Sequence, residues 1–421
     1  MLEFVFIVSN RNKSNSSTLD SFDFCAFHQR YKTDSLSYLL KIIAPIDLYH
    51  PLKGIKVINL DCLDKKQHML KKIIPIAFPN FRKVGNNTRV IAADVGGTKT
   101  QLALFQMIEN ELTIIKEVIY PSQEYPSFGR IVKDIQKNGA LADTLSIGFA
   151  GPVLKNSAKA TNLTWMIDAE ILREEVGIDQ VHILNDLEAS AFGLAALNEN
   201  DFITIHKGNS EREGNAAIIA PGTGLGEAGL FWDGSQLHPF ATEGGHTDFG
   251  TRMEIDVALF KYLHKKYGHV SWERVVSGMG IFELYKFLLQ YRKTKELPWM
   301  MEKIASENAA AAISFGAKNG CPISEETFSL FWRYLAEESA NLALKLKATG
   351  GLFIAGGIAP KNMDVFNQQV FLDYFYEAGR LRPMLQEIPV HIVLNQQTAL
   401  LGAALYGFYG KVKKTNLAAI A

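Results

Sequence analysis

Asn185-Asp186 closes the apolar run Val181-His-Ile-Leu184 and leads into a segment, 187–197, with helical character. A carboxylate at the end of a parallel-type strand and the start of a helix sits where α/β proteins bind ligands, and it can accept the proton of a substrate hydroxyl. Aspartate at a helix start is also a common cap, and the residue type alone does not separate the two roles. Asp94 closes a second apolar run just before Gly96-Gly97-Thr98-Lys99. Two glycines let the backbone approach an anion and aim N–H groups at it, the Thr98 hydroxyl adds a donor, and Lys99 adds positive charge. Asp94 could hold a cation beside that anion. A hairpin that merely turns the chain is the alternative.

Three further clusters carry polar or bare backbone at turns. Gly222-Thr-Gly-Leu-Gly226 follows a strand-like run, but it reads GxGxG and leads into another strand pattern, so it is no dinucleotide fingerprint. Phosphate binding by a β-hairpin remains, through backbone N–H groups and Thr223. Glu243-Gly-Gly-His246 has the spacing of a helical metal pair, yet two intervening glycines argue against helix and against metal ligation. In a loop, that carboxylate and imidazole suit hydrogen bonds to vicinal hydroxyls; an exposed polar turn is the alternative. Gly356-Gly357, after the apolar run 351–355, could let a flat ring lie on the backbone, or could simply turn strand into helix.

These positions need elements to hold them. From Arg89 the pattern predicts strands at 89–94, 101–106 and 112–119, a helix near 128–138 and a buried strand at 146–150. Asp168 is a candidate N-cap for a helix to about 176, and a strand at 181–184 follows. The stretch 217–231 shows strand, Gly-Thr turn and strand again, an echo of 90–105 that points to internal duplication. Helices are expected at 252–266, 271–276, 279–292, 301–318 and 324–347, then a strand at 389–394 and a helix at 397–409. Residues 1–86 lack a sustained period and are expected to be an extension, with Met69 a natural beginning for the folded part. The domains expected are 87–198 with 390–421, a small α/β unit, and 199–389, a larger one carrying the helical layer.

Composition narrows the partners. At 421 residues the chain suggests two or three domains, and 47% hydrophobic residues suffice to bury them. Forty-four basic residues balance 44 acidic ones, so no overall field draws the protein to nucleic acid or a membrane, and a small-molecule partner is favoured. Cys25, Cys62 and Cys321 are widely separated, which allows neither a disulfide framework nor a zinc cluster and fits a reducing cytoplasm. No apolar span is long enough for a membrane helix, and the start lacks the basic region of a signal peptide.

Taken together, the blocks Asp94-x-Gly-Gly-Thr98, Thr161-Asn-Leu-Thr-Trp165, Leu184-Asn-Asp186, Gly222-Thr-Gly-Leu-Gly226, Glu243-Gly-Gly-His246 and Phe353-Ile-Ala-Gly-Gly-Ile358 resemble the bacterial glucokinase family, in the family's order. Gly268-His-Val-Ser-Trp-Glu-Arg-Val-Val-Ser-Gly278 is similar as well. The resemblance runs from about residue 89 to the carboxyl end. It implies an α/β, two-domain actin-like ATPase sugar-kinase fold with ATP and glucose in an interdomain cleft. On this resemblance Asp186 is the base for the sugar's 6-hydroxyl, and Asn162, Asn185, Glu243, His246 and Glu273 contact the sugar. Gly96, Gly97 and Thr98 form one phosphate loop and Gly222, Thr223, Gly224 and Gly226 the other. Asp94 is expected near Mg²⁺, through water, and Gly356 and Gly357 near the adenosine. The resemblance further implies a homodimer, and with no cysteine between 63 and 320 a structural zinc is not expected. Another hexose, another phosphoryl donor, or a sugar sensor without turnover are the competing readings; against the last, no basic helix-turn-helix precedes the core.

Overall fold

The computed structural model describes residues 74–79 and 84–410, apart from 86, 110, 138, 140, 160–162 and 210–212. The start at Met69 and the pocket residue Asn162 therefore lie outside the described residues. In the first lobe the strands are β1 (Arg89–Val95), β2 (Lys99–Ile108), β3 (Glu111–Pro121) and β4 (Thr144–Phe149), with α1 (Phe128–Lys137) before β4. Three short strands follow, β5 (Val153–Leu154), β6 (Ser157–Lys159) and β7 (Met166–Asp168), then α2 (Ala169–Val176), β8 (Gln180–Asn185) and α3 (Asp186–Gly193). The second lobe contains β9 (Phe202–His206), β10 (Ala216–Pro221), β11 (Leu225–Trp232) and β12 (Leu237–Thr242). Its helices α4 (Glu254–Tyr267), α5 (Gly278–Tyr291), α6 (Pro298–Ser306), α7 (Ala309–Lys318) and α8 (Pro322–Leu346) precede β13 (Gly351–Ile354). The chain ends through α9 (Ile358–Lys361), α10 (Gln368–Phe375), α11 (Arg382–Gln386), β14 (Val390–Val393) and α12 (Thr398–Tyr409).

The duplication read in the sequence has a topological counterpart. One sheet runs β3-β2-β1-β4-β8 and the other β12-β11-β10-β13-β14-β9. In each, an antiparallel hairpin, β1–β2 or β10–β11, is followed outward by parallel strands. The two glycine turns thus occupy equivalent places, at the carboxyl ends of β1 and β10.

Strand alternation assigns the faces. Ile91, Ala93 and Val95 pack with the apolar stripes of α1 and α2, whereas Val90 and Ala92 pack with Leu400, Ala403, Ala404 and Phe408 of α12. In the second sheet Ala216 and Ile218 meet Leu187, Ala191 and Phe192 of α3, and Ala217 and Ile219 face the large helical layer. The order is therefore sheet, α12, α3, sheet. The two central helices touch at backbone distance: a Cβ on Gly193 would overlap the Thr398 carbonyl, and one on Gly402 the Ala189 carbonyl. β14 belongs to the second sheet, while α12, directly after it, packs on the first.

Some elements differ from the sequence reading. The helix expected over 301–318 is two helices, because Asn308 adopts an extended conformation and caps α7 by accepting from Ala311 N. The stretch 271–276 makes only a 3₁₀ turn at Trp272–Arg274. The strands β5–β7, β9 and β12 were not anticipated. Residues 74–79, expected in the extension, lie against β12: Leu237 N donates to Pro75 O (2.7 Å), Ala77 N donates to Leu237 O (2.8 Å), and Phe78 packs on Phe192 and Tyr409. Among the described residues no helix is long and apolar enough to cross a membrane.

Candidate active site

The parallel strands β1, β4 and β8 end on one edge of the first sheet, in register at Val95, Phe149 and Asn185, with Asp94 one row back beside Gly148. β8 passes into α3 without a loop, so the helix needs its cap from the strand's own last residue. Asn185 supplies it: Leu187 N and Glu188 N donate to its Oδ1 at 2.9 and 3.2 Å, and its Nδ2 donates to Gly151 O at 3.2 Å. Of the Asn-Asp pair, the cap is Asn185. With the cap taken by Asn185, Asp186 is the first helical residue, and its carboxylate accepts only from Leu187 N among backbone donors of the next turn. Gly148 on β4 permits the approach, since a Cβ there would lie 3.1 Å from the Ala189 side chain.

Asp186 is half-buried, and its carboxyl is pushed up to about 7. Desolvation is the main cause; the charges of Asp94 and Glu243 add to it, and the Leu187 N–H opposes it. The structure therefore brings a residue from β1, one from α3 and one from the turn after β12 within electrostatic reach. Asp94 shares the face of Val90 and Ala92 by alternation; burial raises its carboxyl too, against the attraction of Lys99.

The first glycine turn is braced from behind. Gly96 N donates to Lys99 O (3.1 Å), and Ser122 holds the loop twice, its Oγ donating to Gly96 O (2.8 Å) and its N to Thr98 O (3.0 Å). Ser122 is fully buried beside Thr100 Oγ (2.9 Å). Sequence reasoning missed it; the signal was a small polar residue where β3 returns to the turn. Gly97 is half-buried and Thr98 exposed.

The second turn closes on itself through Gly222 N to Gly224 O (2.8 Å). Glu273 reaches it from the 3₁₀ turn, where its Oε2 accepts from Leu225 N (3.0 Å), and a Cβ on Gly224 would overlap that same carboxylate. Gly278 N donates to Gly222 O (2.8 Å), so the block 268–278 buttresses the loop. Gly226 lies directly on Leu187, the neighbour of Asp186. Thr223 is exposed at the tip. Gly356 has φ +78° and a Cβ there would overlap the Pro221 carbonyl, so this turn requires glycine; Gly357 lies near Lys361 Nζ and Gln396.

Glu243 and His246 flank a single 3₁₀ turn, with His246 N donating to Glu243 O (3.0 Å), and both side chains are exposed. Here they present an acceptor and a donor to solvent on the side from which Glu243 acts on Asp186. Half-buried carboxylates that repel one another, flanked by two glycine turns, suit an electrically balanced ligand: a polyphosphate carrying a hard cation, beside a polyhydroxyl compound. Asp94 and Asp186 offer only oxygen donors, which fits Mg²⁺.

A family model described as glucokinase matches residues 91–408. The glucokinase of Nostoc punctiforme is 40% identical over 335 residues, covering 76% of this chain and 98% of the relative. A solved glucokinase from an Antarctic psychrotroph matches with a TM-score of 0.64 and 29% identity, over 75% of this chain and 97% of that one. A ROK family glucokinase from Streptomyces griseus, solved in complex with glucose and AMPPNP, matches with a TM-score of 0.53 over 76% of this chain and 99% of that one; at 20% identity the likeness is one of fold.

Proposed function

The chain belongs to the glucokinase family, with the two-domain actin-like ATPase fold of its sugar kinases, and from that premise we propose how it moves the γ-phosphoryl group of ATP to the 6-hydroxyl of glucose. Asp186 accepts the proton of the attacking hydroxyl. Phosphoryl transfer asks little covalent chemistry of a protein and much positioning, so the rest of the site orients and neutralises. Glu243, His246 and Glu273, with Asn162, hold the other sugar hydroxyls, and the second amide hydrogen of Asn185 is the one its cap leaves for the sugar. Gly97 and Thr98 on one side, and Thr223 and Gly224 on the other, give N–H and hydroxyl donors to the phosphates, and Gly96, Gly222 and Gly226 keep both turns bare enough for the phosphates to approach. Asp94 is the residue that would hold Mg²⁺, through water, and the ion bound with ATP would offset the phosphate charge. Gly356 and Gly357 let the adenosine lie on bare backbone. Closure of the lobes, 87–198 with α12 against 199–393, excludes water from the transfer.

The observation that carries this reading is the division of labour at β8–α3: Asn185 caps the helix, and Asp186 is left beside Asp94 and Glu243 with a carboxyl raised to about 7. A cytoplasmic location and a homodimer belong to the same reading, the first supported by the spacing of three cysteines and the second by the family resemblance. The test is Asp186→Asn in a coupled ADP-release assay. Its kcat is expected to fall at least ~100-fold while glucose affinity stays near the parent's; near-normal kcat would remove Asp186 from the role of base.

A further inference from the structure

Glu227 is an acidic side chain that the chemistry above leaves unused. It follows the second glycine loop on β11, where the strand is otherwise apolar, and it is 1% exposed. Its partner across the sheet is Thr242, the residue before Glu243. Thr242 Oγ1 donates to Glu227 O (2.9 Å) and accepts from Gly244 N (3.3 Å). The Glu227 carboxyl lies under the sugar turn itself: a Cβ on Gly244 would overlap Oε2.

On its other side stands Glu338 of α8, equally buried. Glu338 accepts from Asn341 Nδ2 (2.8 Å) and pairs with Lys345 Nζ (3.3 Å), while neither Glu227 oxygen has a nitrogen or hydroxyl donor. Two carboxylates cannot bond to each other unless one carries a proton, and one carboxyl of such a buried pair is strongly raised. Asn341 and Lys345 hold Glu338 as the anion, so the proton stays on Glu227. Its carboxyl is shifted well above the ordinary range by burial first and by the Glu338 charge second.

We propose that Glu227 is a positioning residue for the sugar subsite: as a neutral acid bonded to Glu338, it props the Glu243–His246 turn from beneath and sets where those two side chains meet the sugar. The inference rests on the kinase reading of that turn. Ionisation would place two like charges under Gly244 and displace the turn. The charged groups that act on Glu227 are Glu338 and Lys345 from α8, and β10 sets Ile219 beside it; the titratable residues of the turn above it, Glu243 and His246, are exposed. Glucose KM is therefore expected to rise as pH moves from neutral to mildly alkaline, with kcat less affected.

Steady-state kinetics of the parent, Glu227→Gln and Glu227→Ala across that range test the inference. Glu227→Gln keeps the shape and the donor without the titration, so its KM at neutral pH is expected within ~2-fold of the parent and its alkaline rise is expected to shrink. Glu227→Ala removes the prop, and its glucose KM is expected ~10-fold higher throughout, with kcat within ~3-fold. An alkaline KM profile in Glu227→Gln identical to the parent's overturns the proposal, whether or not the alanine variant folds. So does an unchanged KM in Glu227→Ala. A parent that releases no ADP with glucose overturns the kinase reading instead, and the premise of this one with it.

Discussion

In the proposed mechanism Asp186 must be ionised to take a proton, yet its surroundings oppose ionisation. Its carboxyl stands at about 7 because burial and the neighbouring Asp94 and Glu243 charges disfavour the anion. The ionised, active fraction of the free enzyme therefore grows as pH rises, and kcat/KM for glucose is expected to fall about tenfold per pH unit well below that value. Replacing Asp94 by Asn removes one repelling charge, so the acidic limb of kcat/KM is expected to move to lower pH, though kcat itself drops through loss of the group facing Mg²⁺. A limb that stays in place would mean that Asp94 does not act on the base. The stability contribution runs the opposite way with pH: a carboxyl raised in the folded state adds stability below its unfolded value and loses it as pH rises through the folded one. Both aspartates were legible in the sequence, since each ends an apolar run, Asp94 before a glycine turn and Asp186 before a helix. The cap was not, because Asn and Asp are equally good cap residues and only geometry shows which of the neighbours takes the N–H groups. Ser122 and Glu227 escaped for a related reason: their roles depend on what lies behind a loop, which no local pattern records.

Elements transmit small displacements to that base. Gly226 of β11 is in contact with Leu187, one residue from Asp186, and the contact joins the second glycine turn to the helix that carries the proposed base. A methyl at 226 would overlap the Leu187 side chain, so Gly226→Ala pushes α3 from the loop. Urea unfolding is expected to show a loss of ~1–3 kcal/mol, as for other overpacked sites. Glucose kcat/KM is expected to fall by on the order of 10- to 100-fold, since a shift of about 1 Å in a reacting group has that cost. Parental kinetics in a destabilised variant would show that loop and base are not coupled here. At this scale the sequence was readable where patterns were long: the β1–β2 and β10–β11 hairpins, α1, α8 and α12 follow their hydrophobic periods. It was silent for β5–β7, β9 and β12, whose few residues fall short of a detectable period, and β12 even contains Pro239, tolerated as it is near the sheet's edge. The break between α6 and α7 was equally hidden, because the apolar spacing continues across Asn308 while its cap ends the helix.

The whole molecule is joined through α3 and α12, each packed on its own sheet and each in backbone contact with the other at Gly193 and Gly402. The two chain crossings between the sheets are tied together beside them, with Leu394 N donating to Asp201 O (2.8 Å) and Asn395 Nδ2 to Asp201 Oδ1 (3.2 Å). Phe78 adds an aromatic contact to the same place, its ring centroid 5.3 Å from both Phe192 of α3 and Tyr409 of α12. The sequence disclosed the duplication that produces two lobes, but not that a segment ahead of the first strand would reach their junction, since six residues without a period carry no such signal. Each sheet is rigid, so lobe closure must be accommodated where helices slide and crossings bend. Gly402→Ala sets a methyl against the Ala189 carbonyl and forces the pair apart. Both kcat and glucose KM are then expected to change, by several-fold, because the helix pair between the two sheets is displaced and the closing of the lobes with it. Small-angle scattering with and without glucose checks it: the parent is expected to contract on glucose and Gly402→Ala to contract less. Equal contraction in the two, with kinetics unchanged, would place the bending elsewhere than the helix pair.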